Sequence, residues 1–191
     1  YSIVEPYGVV ARIVPYNHPV MFAASRLAGP LLAGNSVVLK AADQTPLSAL
    51  RIGELAADLV PPGVVTVLTG AGGIVGRALV EHPSIRRVAF TGSVATGQTV
   101  MQMAAKAGIK HVTLELGGKN PMLVLGDADV EEAAEGAVRG MNFHWTAGQS
   151  CGSTSRLLVD RRLVDAVTEA VVERARSVRV GDPTDAATEM G

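Results

Sequence analysis

Short apolar runs rich in β-branched residues alternate along this 191-residue chain with longer stretches of helical periodicity, and that alternation limits the fold more than any other feature. Strand-like runs fall at Gly8 to Val14, Ser36 to Lys40, Val64 to Leu68, Arg87 to Phe90, His111 to Leu116, Met122 to Leu125 and Arg156 to Val159. Between and after them the pattern predicts helices over Pro19 to Ala33, Thr45 or Pro46 to Asp58, Gly73 to Val80, Ser93 to Ala107, Val130 to Phe143 and Leu163 to Val178. Continuously apolar strands separated by helices of this length pair in parallel, with helices covering both faces of the sheet. The pattern is that of a doubly wound α/β fold, in which ligands gather beyond the carboxyl ends of the strands. Stop signals agree: Pro61-Pro62-Gly63 breaks a helix before a strand, and Gly108 ends another. The first five strands read as one unit, and Gly117-Gly118-Lys119-Asn120-Pro121 reads as a hinge into a second. The expected division is 1–117 and 118–191, with cleft chemistry at the junction.

Composition removes several functions. Basic and acidic residues balance at 17 against 18 and are interspersed, which leaves no broad cationic face, so no nucleic-acid partner is expected. No apolar run is long enough for a membrane span and no signal peptide is recognisable, so no membrane partner is expected and the location expected is cytoplasmic. A single cysteine excludes an internal disulfide framework and a cysteine-cluster zinc site. His18, His82, His111 and His144 lack the spacing of a metal pair, and no metal is expected.

The residues that remain suggest chemistry at strand ends. Phe90-Thr91-Gly92-Ser93-Val94-Ala95-Thr96-Gly97 follows a strand and opens a helix, where glycine permits close backbone approach and free N–H groups favour a phosphate. The alternative is a tight strand-to-helix turn without a ligand. A P-loop is excluded because Gln98 stands where that motif needs lysine. Gly70-Ala71-Gly72-Gly73 is a second glycine tract after the preceding strand. Lys40, at a strand end, and Asp43 have the chemistry to hold ribose hydroxyls, or else form a surface charge pair. Cys151 lies in the glycine-flanked loop Gly148-Gln149-Ser150-Cys151-Gly152, which favours an exposed thiol over a small buried apolar residue. Such a nucleophile needs a base. Glu115 is one candidate, and a cysteine–histidine dyad with His144 or His18 competes with it.

Six tracts in order resemble the NAD(P)-dependent aldehyde dehydrogenase superfamily over nearly the whole chain. They are Pro15-Tyr16-Asn17-His18-Pro19, Lys40-Ala41-Ala42-Asp43-Gln44-Thr45-Pro46, Pro61-Pro62-Gly63-Val64-Val65 before Thr69-Gly70, Phe90-Thr91-Gly92-Ser93, Leu114-Glu115-Leu116-Gly117-Gly118-Lys119-Asn120-Pro121 and Gly148-Gln149-Ser150-Cys151. The resemblance implies a Rossmann-like cofactor domain followed by the start of an α/β catalytic domain. It implies an enzyme that oxidises a small-molecule aldehyde to a carboxylic acid. Cys151 would be the nucleophile, and Asn17 with the Cys151 N–H the oxyanion hole. Glu115 would be the base that hydrolyses the thioester. Lys40 and Asp43 would hold the adenine ribose, with Gly70 near the adenine. Phe90, Thr91, Gly92, Ser93, Gly97 and Leu116 would line the remaining cofactor region. NAD is the expected cofactor, NADP being compatible, because the Asp43 carboxylate would repel a 2′-phosphate.

Relative to the family pattern, Tyr16 replaces a tryptophan, Asp43 a glutamate, Arg26 a lysine, and Trp145-Thr146 a Phe-Asn pair, which leaves the aldehyde open. The resemblance also implies a homo-oligomer, dimer or tetramer. It casts the chain as a central segment of a longer protein, without the downstream ExFGP tract, inactive by itself. The alternatives are a CoA-acylating relative and a truncated nucleotide-binding fragment without catalysis.

Overall fold

Residues 1–191 are described by a computed structural model, in which the chain divides into two compact units, 1–116 and 117–191. The first is built on a five-stranded sheet in the order β3-β2-β1-β4-β5, every pair parallel. Its strands are β1 (Val9–Ile13), β2 (Ser36–Lys40), β3 (Val65–Leu68), β4 (Ile85–Gly92) and β5 (His111–Leu116). Sequence order reverses between β1 and β4, which makes the carboxyl ends of these two strands the topological switch point.

Helices α1 (Pro19–Leu32) and α2 (Leu47–Ala57) lie on one face, and α3 (Arg77–Glu81) and α4 (Val94–Ala107) on the other. Two cores follow from the two-residue period of the strands. Val14, Val37 and Leu39 meet Phe22, Ala23, Leu27 and Ala49 on the α1–α2 side. Ala11, Val88 and Phe90 meet Leu79, Val80, Val100 and Ala104 on the α3–α4 side.

Three local findings depart from the sequence expectation. The stretch expected as one helix from Gly73 is a π-helical turn over Gly72–Gly76 that leads into the five-residue α3. The strand expected over Arg87 to Phe90 extends from Ile85 to Gly92, so Thr91 and Gly92 still pair, with Glu115 and Leu116. And β5 is not apolar throughout: Val112, Leu114 and Leu116 pack inward while His111, Thr113 and Glu115 stand exposed. The cores show why. On the α1–α2 side, the helices of this unit pack over β1, β2 and β3, and the half of that face on β4 and β5 carries Arg87, Thr91, Thr113 and Glu115 instead of a core.

In the second unit, β6 (Pro121–Val124) and β7 (Arg156–Val159) form a parallel pair. Helices α5 (Val130–Gly140) and α7 (Val164–Ser177) pack together, with Val124, Ala133 and Val167 as the buried centre. Asp129 caps α5 by accepting from the N–H groups of Glu131 and Glu132, both at 2.9 Å. The helix expected to run to Phe143 ends at Gly140, and α6 (Phe143–Thr146) is separate because Asn142 adopts the left-handed conformation. No helix is long and apolar enough to cross a membrane.

Candidate functional site

At the switch point, β1 delivers Asn17, half-buried, to the loop before α1, and β4 delivers Phe90, Thr91 and Gly92. Gly92 is required by packing: a Cβ there would lie 2.5 Å from Cζ of the buried Phe90 ring. Ser93 caps α4, its Oγ accepting from Thr96 N–H at 3.2 Å. Gly97 is buried on the first turns of α4, where a Cβ would come within 2.8 Å of Leu116 Cδ2. The glycine thus lets the helix sit close to β5, and the helix N-terminus is set directly beyond the strand ends.

Between the π-helical turn and α4 lies a mostly apolar cavity of about 360 Å³, bordered by Gly72, Gly73, Arg77, Phe90, Thr96 and Met103. Sequence reasoning flagged its glycines but missed Arg77 and Met103, which sit at unremarkable helix positions. Gly70, at φ +118°, starts the turn, and a Cβ there would meet Val75 at 2.9 Å. Lys40 is only 4% exposed at the end of β2, and its Nζ donates to Asp43 Oδ1 at 2.5 Å. A lysine this buried is not a solvated surface charge; its ammonium holds the half-exposed Asp43 carboxylate in place.

Glu115 stands exposed on the edge strand β5, in register with Thr91 of β4. It borders a second cavity, of about 300 Å³, on the half of the sheet that no core covers. No cluster of three or more His, Cys, Asp or Glu gathers in a position to hold a metal.

In the second unit the Cys151 thiol is free and exposed. Its loop is fixed by polar contacts and backbone strain, not by burial of apolar side chains. Asn120 Nδ2 donates to the carbonyls of Cys151 at 2.6 Å and Ser153 at 3.2 Å. Ser153 is buried; its hydroxyl donates to the Met141 carbonyl at 2.9 Å and accepts from Asn142 Nδ2 at 3.4 Å. Ala147, at φ +50°, and Gly148, at φ +76°, turn the chain from α6 into the loop. Trp145, on α6, is 79% exposed. Asn120 and Ser153 were not singled out as site residues from the sequence, since an asparagine and a serine on a loop carry no signal of the distant carbonyls they reach.

These features are set among known proteins by three comparisons. The model of the aldehyde dehydrogenase family matches residues 1–191. The aldehyde dehydrogenase tropH of Talaromyces stipitatus is 47% identical over 192 residues, which is 100% of this chain and 37% of that protein. Retinaldehyde dehydrogenase 3 of Mus musculus is 45% identical over 98% of this chain and 36% of its own. The NAD+ complex of an aldehyde dehydrogenase from Bacillus cereus superposes with a TM-score of 0.93 at 44% identity, covering 98% of this chain and 38% of that one. A parallel sheet with a switch point and a glycine-opened helix beyond its strand ends is a doubly wound α/β architecture. The chain belongs to the aldehyde dehydrogenase family. It spans a little over a third of the length of the relatives it matches, 36% and 37% for the two above.

Proposed function

We propose that this protein oxidises an aldehyde to a carboxylic acid with NAD, through a thiohemiacetal and then a thioester on Cys151. The observation that carries the reading is the exposed thiol on a loop held by Asn120 and Ser153, in a chain matched by the family model from end to end. The first unit serves as the cofactor domain and the second as the start of the catalytic domain.

The residues present fit a dinucleotide. The cavity of about 360 Å³ offers apolar walls for a ring, α4 offers N-terminal N–H groups for a pyrophosphate, and Asp43, steadied by Lys40, offers a carboxylate for ribose hydroxyls. Phe90 lines that cavity, and Gly70 starts the turn that leads to its glycines. Thr91, Gly92 and Ser93 form the strand-to-helix passage, and Gly97 against Leu116 keeps the helix close to the sheet. When bound, the nicotinamide supplies the hydride acceptor.

The protein's own residues do the rest. The Cys151 thiolate forms a C–S bond to the carbonyl carbon, and the oxygen takes the negative charge. The Asn17 side-chain amide and the Cys151 N–H donate to that oxygen, and loss of one such donor costs roughly 3–4 kcal/mol. The C=O bond re-forms as hydride leaves, giving the thioester. Glu115, whose carboxylate is exposed, takes a proton from water. The resulting hydroxide attacks the thioester, and the Cys151 thiolate departs as the acid is released. A homo-oligomeric assembly and a cytoplasmic location belong to the same reading and rest on family membership alone.

Two substitutions in the full-length protein test the order of events. Cys151→Ala is expected to abolish NADH formation. Glu115→Gln is expected to give a burst of NADH with acyl mass retained on Cys151, followed by a steady rate roughly 10²–10⁴-fold lower. Full turnover in Cys151→Ala, or an unchanged steady rate in Glu115→Gln, would overturn the assignment.

A further inference from the structure

Cys151 occupies the second position of a β-turn. Ser153 N–H donates to the Ser150 carbonyl at 3.2 Å, which closes the turn around Cys151 and Gly152. The peptide that joins these two residues is held at both ends by side chains. Its carbonyl, that of Cys151, accepts from Asn120 Nδ2 at 2.6 Å, and its N–H, that of Gly152, donates to Ser150 Oγ at 3.1 Å. Asn120 Nδ2 also reaches the Ser153 carbonyl at 3.2 Å, and since carbonyls only accept, the atom that faces both of them is the amide nitrogen. Asn120 is itself anchored from β7. Its own carbonyl accepts from Arg156 N–H at 3.2 Å, and the neighbouring Lys119 carbonyl accepts from Arg156 Nε at 2.7 Å. Every one of these contacts is made within residues 117–191.

The central peptide is the part of a β-turn that can rotate while the ends stay paired. The two commonest turn types differ by roughly a half-rotation of that peptide, and type II needs a positive φ at the third position. Glycine is the residue that permits it, and Gly152 stands there. The φ of Gly152 is not positive, so the turn has not made that rotation. The rotation would take the Cys151 carbonyl off Asn120 and the Gly152 N–H off Ser150, and it would reverse a dipole of about 3.5 D next to the thiol-bearing carbon. A carbonyl oxygen released from its donor can then face the sulfur, where it opposes the negative charge of a thiolate.

We propose that Asn120 and Ser150 are positioning residues that pin the Cys151–Gly152 peptide in one of its two turn states, and so keep the negative end of that peptide bonded to Asn120 while the thiolate reacts. The inference rests on the reading of Cys151 as the nucleophile and adds two residues that act through it.

The second-order rate of Cys151 alkylation by iodoacetamide at fixed pH, followed by peptide mass spectrometry on the full-length protein, tests it. Asn120→Ala is expected to slow alkylation at least five-fold. Asn120→Asp keeps the shape but sets an acceptor against two carbonyls, and is expected to slow it at least as much. Gly152→Ala fits the observed state, since its Cβ would meet nothing closer than Ser150 Oγ at 3.6 Å, but it resists the rotated one. Added to Asn120→Ala, it is expected to raise the rate again at least three-fold, a recovery that an asparagine supporting only the fold would not show. Ser150→Ala removes the other pin and is expected to behave in the same way. It carries the test if circular dichroism shows that the Asn120 variants do not fold. Unchanged alkylation in the folded pin variants, or no recovery on adding Gly152→Ala, would overturn the proposal. NADH formation in Cys151→Ala keeps the two readings apart. Full turnover there removes the nucleophile and the purpose of the pin together, whereas lost turnover beside unchanged alkylation in Asn120→Ala overturns the pin alone.

Discussion

The two units hold their chemistry in place by opposite means. In residues 1–116 the positions assigned to the cofactor are fixed by packing: Gly92 lies under a buried phenylalanine ring, Gly97 lies against Leu116, and Lys40 is sunk at a strand end. In residues 117–191 the loop that carries the proposed nucleophile, Cys151, has almost no apolar support. It hangs on the Asn120 amide, the Ser153 hydroxyl and a pair of left-handed residues, Asn142 and Ala147. A surface that must approach a rigid, sizeable ligand benefits from close-packed walls. A thiol in the role proposed for Cys151 instead needs exposure, and exposure removes the apolar contacts that would otherwise order it.

Substitutions that add volume or remove hydrogen bonds separate these two modes. The largest effect is expected from Gly92→Ala, whose new methyl has to displace the buried Phe90 ring. Overpacking of this kind costs about 1–3 kcal/mol, read as a lower midpoint in thermal or urea unfolding. An unchanged midpoint would mean that the ring moves freely and that packing does not fix the strand end. Asn120→Ala comes next. It removes two hydrogen bonds to the loop, worth about 1 kcal/mol each, and should change the alkylation rate of Cys151 more than it changes global stability. If stability falls while alkylation stays the same, the amide supports the unit and not the thiol. Ala147→Gly is expected to have the smallest effect and the opposite sign. A left-handed alanine costs roughly 1–2 kcal/mol, and the greater freedom of unfolded glycine offsets part of that gain. A net stabilisation below about 1 kcal/mol, measured by urea unfolding, fits loop strain; destabilisation contradicts it.

The same contrast explains what was legible in the sequence. Strands β2, β5 and β7 fall where their β-branched and apolar runs predict, because such runs are a direct imprint of burial, although the alternation within β5 was not read from them. The split of the expected helix at Asn142 was not visible, since one left-handed residue is a tertiary choice that no periodicity announces. The π-helical turn at Gly72–Gly76 was hidden for a similar reason: its glycines favour any tight backbone equally. The tract Leu114 to Pro121 points to Glu115, yet only the folded chain shows Asn120 of the same tract holding the Cys151 carbonyl.

Trp145 is the chain's one tryptophan, and it stands exposed on α6, six residues before Cys151. Nature has therefore placed a single intrinsic fluorophore on the short segment whose left-handed borders set the course of the thiol's loop. Its emission colour and its accessibility to a collisional quencher report on that segment alone, free of background from any other indole in these residues. Acylating or alkylating the thiol while watching that light distinguishes a loop that reorganises with each covalent step from one that stays still throughout, with no dye and no label attached.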